Sequence, residues 1–153
     1  MVQKKNLKKI IFGTWPISGD YSKVKNDESI KLLKLAYQNG IKEFDTAPNY
    51  GSGRAELLVG KAFENIRFKP KINTKIGNSH DRDKNFDLRK IKLTFEKSLK
   101  ALKVKKINIL FLHNPRKISN LPNIINFLKK LKKEKKINDY GISITKDYKY
   151  NIQ

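Results

Sequence analysis

Five short apolar runs alternate with four longer segments whose apolar residues recur at every third or fourth position, and this alternation restricts the fold more than any other feature. The runs at 8–15 (KKIIFGTW), 41–45 (IKEFD), 71–77 (KINTKIG), 106–115 (KINILFLHNP) and 139–144 (DYGISI) read as strands. The segments at 27–40, 52–66, 87–104 and 120–137 read as helices. Asn39-Gly40 supplies a stop for the first helix, Asp87 a cap for the third, and Pro122 lies in the opening turn of the fourth. Strand–helix units in this order demand a parallel sheet joined by right-handed crossovers. The pattern leaves two closures open: a doubly wound open sheet, or part of an eight-stranded barrel. No linker, low-complexity tract or further repeat interrupts the alternation, so 1–153 is read as one unit with one sizeable core. Residues 145–153 carry no clear pattern.

Composition removes several classes of function. There is no cysteine, hence no disulfide framework and no thiolate metal site. The two histidines, His80 and His113, cannot make a zinc site alone, so no metal is expected. His80 falls in a polar loop and is read as a surface residue. Near the basic N-terminus the apolar run is only Ile10, Ile11 and Phe12, too short for a signal-peptide core. No segment approaches the roughly 18–20 apolar residues of a membrane span. The default compartment is therefore the cytoplasm, with no membrane partner. A net charge of +21 invites a nucleic-acid reading. The charge, however, is mostly lysine spread over every predicted helix, without an RNA-binding aromatic pattern or a basic-region heptad. A solvated lysine surface is the preferred reading, and nucleic acid is not an expected partner.

In parallel α/β folds the functional residues gather at the C-terminal ends of the strands. Those ends carry Gly13-Thr14-Trp15 on the first strand, Asp45 on the second with Tyr50 on its loop, Lys75 on the third, His113 on the fourth and Ser143 on the fifth. A carboxylate at the end of a buried strand is costly unless paired, and a lysine from the neighbouring strand would pair it. An ammonium beside a phenol favours the phenolate and makes the phenol a better general acid. His113 could then orient a substrate oxygen. Each residue alone has a plainer explanation: Asp45 a loop cap, Tyr50 packing, Lys75 one lysine among many, His113 a satisfied core histidine. Their coincidence at one layer of one sheet is what favours chemistry. Competing motifs fail. "GSGRAE" at 51–56 imitates a dinucleotide-binding glycine loop, but Glu56 stands where the third glycine is required. Neither a GxxxxGK[ST] loop nor a G-x-S-x-G elbow occurs.

At these residues the sequence resembles the aldo-keto reductase family. "FDTAPNYGSGRAELLVGKAF" is similar to that family's D-T-A-x-x-Y-G signature and the E-x-x-x-G helix after it. "INTKIG" resembles the strand bearing its catalytic lysine, "INILFLHNP" the strand bearing its catalytic histidine, and "FGTWP" its first-strand G-T-W element. "YGISI" resembles the fifth-strand G-V-S-N element only in part. The resemblance implies a (β/α)8 barrel that reduces a small carbonyl substrate, an aldehyde or ketone, with NADPH or NADH. It implies that Asp45, Tyr50, Lys75 and His113 form the catalytic tetrad, with the tyrosine supplying the proton. It places Gly13 and Thr14 near the cofactor, Trp15 in the substrate pocket, and Ser143 on the nicotinamide carboxamide. Ile144 stands where many members carry an asparagine, which removes part of that grip.

A barrel of this kind takes about 250 residues, whereas this chain presents about four βα units and a fifth strand. The expected fold is therefore an incomplete (β/α)8 barrel, the N-terminal portion of a reductase domain. Its first and fifth strands would be unpaired parallel edges, and its inner face would lack an opposite wall. That predicts a truncated or decayed reading frame, or one half of a split protein. The alternative to an enzyme is a non-catalytic remnant or interaction module, self-associating or bound to a complementing chain through the exposed edges.

Overall fold

The computed structural model describes residues 10–81, 85–115, 118 and 120–144. Five parallel strands, β1 (Ile11–Gly13), β2 (Glu43–Asp45), β3 (Lys71–Ile76), β4 (Ile107–His113) and β5 (Ile137–Ser143), form one sheet in the order β1-β2-β3-β4-β5. Between them run α1 (Asn26–Gln38), α2 (Arg54–Phe63), α3 (Leu88–Leu102) and α4 (Leu121–Lys133). The sequential strand order settles the closure. When each right-handed crossover lays the next strand on the same side of the last, every helix falls on one face. A doubly wound sheet reverses direction at a switch point and carries helices on both faces. Here α1 packs on α2 and α2 on α3, so the sheet is an arc of barrel wall: a partial (β/α)8 barrel.

The core lies between this wall and its helices. Phe44 of β2 is wholly buried, its ring 4.8 Å from Phe63 of α2 and 5.5 Å from Phe12 of β1. Ile72 and Ile76 of β3 and Leu110 and Leu112 of β4 extend the layer toward Ile91 and Phe95 of α3 and Ile124 and Leu128 of α4. Side chains of this kind contribute about 1.5–3 kcal/mol each on burial. On the opposite face Ile109 and Phe111 are only half-buried, as the period of two along a strand requires. A file of polar side chains also crosses the strands. Asn138 donates to Asn108 at 3.1 Å, Asn108 to Asn73 at 2.9 Å, and Asn73 to Glu43 at 2.7 Å. Each amide thereby satisfies its neighbour, which buried Asn73 and half-buried Asn108 need.

The elements differ from the sequence expectation at their ends, for local reasons. The third and fourth helices stop at Leu102 and Lys133, short of 104 and 137, because Lys103 and Lys135 adopt left-handed backbone at φ 54° and 58°. A glycine usually takes such a position, so lysine there gave no signal. Ile137 consequently belongs to β5, which starts ahead of the expected residue 139. The first strand is the shorter Ile11–Gly13, and Trp15 opens a 3-10 turn, Trp15–Ile17, instead of extending it. Residues 8 and 9 of the expected first strand, and the tail 145–153, lie outside the described residues. Asp87 does cap α3, accepting from the amides of Arg89 and Lys90. Among the described residues, no helix is long and apolar enough to cross a membrane.

Gly60 of α2 meets the end of α3 so closely that a Cβ would stand 2.1 Å from the carbonyl oxygen of Ala101. Alanine favours a helix interior over glycine by about 1 kcal/mol, yet here the two backbones would be forced apart. Gly60→Ala is therefore expected to destabilise the chain by about 1–3 kcal/mol, read as a lower urea midpoint.

Candidate active site

The sheet's register brings the sequence-predicted residues together in a staircase. Gly13 pairs with Asp45, and Asp45 with Asn73. Lys75, two residues beyond Asn73, pairs with Phe111, and His113, two beyond Phe111, pairs with Ser143. Steps of two keep each side chain on the same face, and the advance from strand to strand is the stagger that tilted barrel strands impose. The sequence expectation had the residues level with one another; they reach one rim only because the strands are tilted.

Lys75 is 3% exposed, and its ammonium is answered twice. It donates to Asp45 Oδ2 at 2.6 Å and to the carbonyl oxygen of Thr46 at 2.8 Å. The costly carboxylate at the end of β2 is thus paired with a more deeply buried cation. The same Nζ stands 4.8 Å from the centroid of the Tyr50 ring. Buried His113 meets that ring edge-on at 6.2 Å between centroids, with an interplanar angle of 85°. Trp15, 46% exposed, lies 6.2 Å from the Tyr50 ring with its plane within 29° of parallel. An acid, an ammonium, a phenol and an imidazole therefore converge, with an indole beside them.

The rim also carries polar atoms that the chain itself does not satisfy. Thr14 Oγ1, Thr46 Oγ1, Asn49 Oδ1 and Asn78 Oδ1 are buried without a hydrogen-bond partner among the described residues. All four lie just beyond the ends of β1, β2 and β3. Buried polar groups are nearly always bonded, so a polar ligand at this rim would meet waiting partners. Gly13 leaves open space where a Cβ would be, and Ser143 is half-buried at the end of β5. This set fits an amide-bearing cofactor ring. Ile144, 53% exposed, has a side chain without a hydrogen-bonding group. Among the described residues no group of three acidic or histidine side chains could hold a metal ion.

One expectation is corrected. His80 is not simply a surface residue: its Nε2 lies 3.0 Å from Oε2 of Glu56, a carboxylate with no exposure at all. The hydroxyl of Thr74 donates to the other oxygen, Oε1, at 2.6 Å. Glu56 sits in the first turn of α2, where negative charge is favourable. It joins the helix that follows Tyr50 to the strand that carries Lys75 and to the loop after that strand. The sequence signal was the glutamate itself, at a helical position whose neighbours are apolar; nothing local named its partners.

Residues 9–150 match the model of the Aldo/keto reductase family. The chain is similar to the probable aldo-keto reductase 1 of Glycine max, at 33% identity over 144 residues covering 88% of this chain and 41% of that protein. It is similar to the solved structure of an aldo-keto reductase from Bacillus halodurans in its holo form, with a TM-score of 0.77 and 26% identity, covering 89% of this chain and 46% of that one. It shares its fold with an aldo-keto reductase from Klebsiella pneumoniae in complex with NADPH, with a TM-score of 0.72 and 22% identity, covering 90% of this chain and 46% of that one. The chain spans less than half the length of these relatives.

Truncating Glu56 would leave the buried Thr74 hydroxyl and the partly exposed His80 ring without this partner. Each abandoned buried group costs about 1–3 kcal/mol. Glu56→Ala is expected to lower the free energy of unfolding by about 2–4 kcal/mol, within the sum of those two penalties, while Glu56→Gln retains most of it; urea titration of both variants checks this.

Proposed function

The chain belongs to the aldo/keto reductase family, and on that premise we propose that it serves an oxidoreductase that reduces an aldehyde or ketone, with Tyr50 as proton donor. The observation that carries this reading is the Lys75 ammonium, held by Asp45 at 2.6 Å and standing 4.8 Å from the Tyr50 ring. A phenol beside a fixed cation is suited to release its proton as negative charge develops on a substrate oxygen. Asp45 keeps the ammonium in place, and His113, edge-on to the tyrosine, orients the carbonyl oxygen toward it. Trp15 forms a wall of the substrate pocket.

The cofactor is a nicotinamide dinucleotide, NADPH or NADH, which supplies the hydride when bound. Thr14 and Gly13 at the end of β1 and Ser143 at the end of β5 are the residues of this chain that would hold its nicotinamide end, Ser143 through the carboxamide. The unsatisfied Thr14 hydroxyl and the space beside Gly13 support that placement. The Klebsiella protein with the same fold is complexed with NADPH. We place the activity in the cytoplasm. The reading also has the barrel wall continued at its edge strands β1 and β5, by further strands of the same protein, by a second copy or by a complementing chain.

The test is steady-state oxidation of NADPH by the complete protein with a simple aldehyde. Removing a general acid typically costs about 10²–10⁴-fold, so Tyr50→Phe should depress kcat by that much with the fold intact. An unchanged rate would refute the assignment of the proton donor.

A further inference from the structure

The segment between Trp15 and α1 is tied to the segment after Tyr50 by two side chains that no motif singled out. Arg54, the first residue of α2, donates from Nη1 to the carbonyl oxygen of Ile17 at 2.8 Å and from Nε to Asn26 Oδ1 at 3.0 Å. Its Nη2 donates to the carbonyl oxygen of Val24. One guanidinium therefore grips both ends of the loop that runs from the Trp15 turn to α1. Asp20, at the crest of that loop, reaches the other way. Its Oδ2 accepts from the backbone amide of Gly51 at 2.9 Å and from the Trp15 indole Nε1 at 3.2 Å. The two loop backbones touch: Gly51 has φ 58°, and a Cβ there would stand 2.2 Å from the carbonyl oxygen of Ser18.

We propose that Arg54 and Asp20 are positioning residues that set the Trp15 wall against Tyr50, and thereby select which carbonyl substrates fit. The inference rests on the reductase reading above. Hydrogen bonds of this kind often do no more than shape a loop. What distinguishes these is where they end, on the indole itself and on the amide next to Tyr50. Trp15 is nearly half exposed, so burial does not fix its ring. The Asp20 bond and the neighbouring rings do, with Tyr21 at 4.6 Å and Tyr50 at 6.2 Å. Arg54 acts one step back, by holding the loop that carries Asp20. Its planar fork serves three acceptors at once, a task that a lysine ammonium cannot repeat.

Trp15 is the only tryptophan of the 153 residues, so its fluorescence reports the wall directly. Asp20→Ala changes an exposed loop side chain, and Arg54→Lys keeps the charge but loses the fork; either variant suffices if the other fails to fold. In both, acrylamide should quench Trp15 more effectively than in the parent chain. With the complete enzyme, KM for a bulky aryl ketone should rise about tenfold, equivalent to about 1.4 kcal/mol. The value for a two-carbon aldehyde and both kcat values should hold within about threefold, the pattern of lost uniform binding. Unchanged quenching in the folded variants overturns the inference, as does a fall in kcat with KM unaltered for either substrate. Quenching is read without cofactor or turnover. A parent protein that reduces no carbonyl therefore counts against the proposed function, while the quenching still decides this inference.

Discussion

A lysine ammonium almost wholly withdrawn from water must be met by opposite charge and by oxygen atoms, or the strand that bears it cannot be buried. Lys75 meets both conditions at the end of β2, in the Asp45 carboxylate and the Thr46 carbonyl. Leaving a buried ion without its partner costs about 3–5 kcal/mol, a large part of the roughly 5–15 kcal/mol that holds a domain together. The pair therefore constrains the relative placement of β2 and β3, and with it the start of the loop that delivers Tyr50. The arrangement that supports proton donation is the same one that makes burial of the lysine tolerable.

The first turn of α2 extends that constraint outward. Arg54 points toward the loop beyond β1, and Glu56 toward β3 and the loop beyond it. Tyr50 precedes this turn by four residues, so its backbone is anchored from both sides. Two charged residues, two positions apart in one turn, thus hold three of the segments that frame the site. They do their work through backbone carbonyls, a side-chain amide, a hydroxyl and an imidazole.

Where the sequence was hard to read, the cause can be named. Lys103 and Lys135 close their helices in a conformation usually left to glycine, so periodicity ran on past the true ends. His80 sits among polar residues and looked solvated, because the carboxylate that engages it lies 24 positions away. Asn73, Asn108 and Asn138 fall on separate strands, each unremarkable alone, and become a hydrogen-bonded file only side by side. Arg54 stood inside a motif read for its glycines. The helix ends are a matter of local backbone; in the other three cases the deciding partner is distant along the chain.

The sequence by itself determined the kind and order of the elements, and it placed Asp45, Lys75 and His113 at strand ends with Tyr50 on the adjoining loop. Those follow from local periodicity and from where each apolar run stops. The residues that resemble the reductase family pointed further, to a barrel. Only the tertiary structure decided that the strands lie in sequential order with the helices on one face, and that a step of two residues from β2 to β3 and again from β3 to β4 brings Asp45, Lys75 and His113 to one rim beside Tyr50. Lateral order and tilt arise from pairing between segments some thirty residues apart, and no window of local sequence encodes an angle between strands.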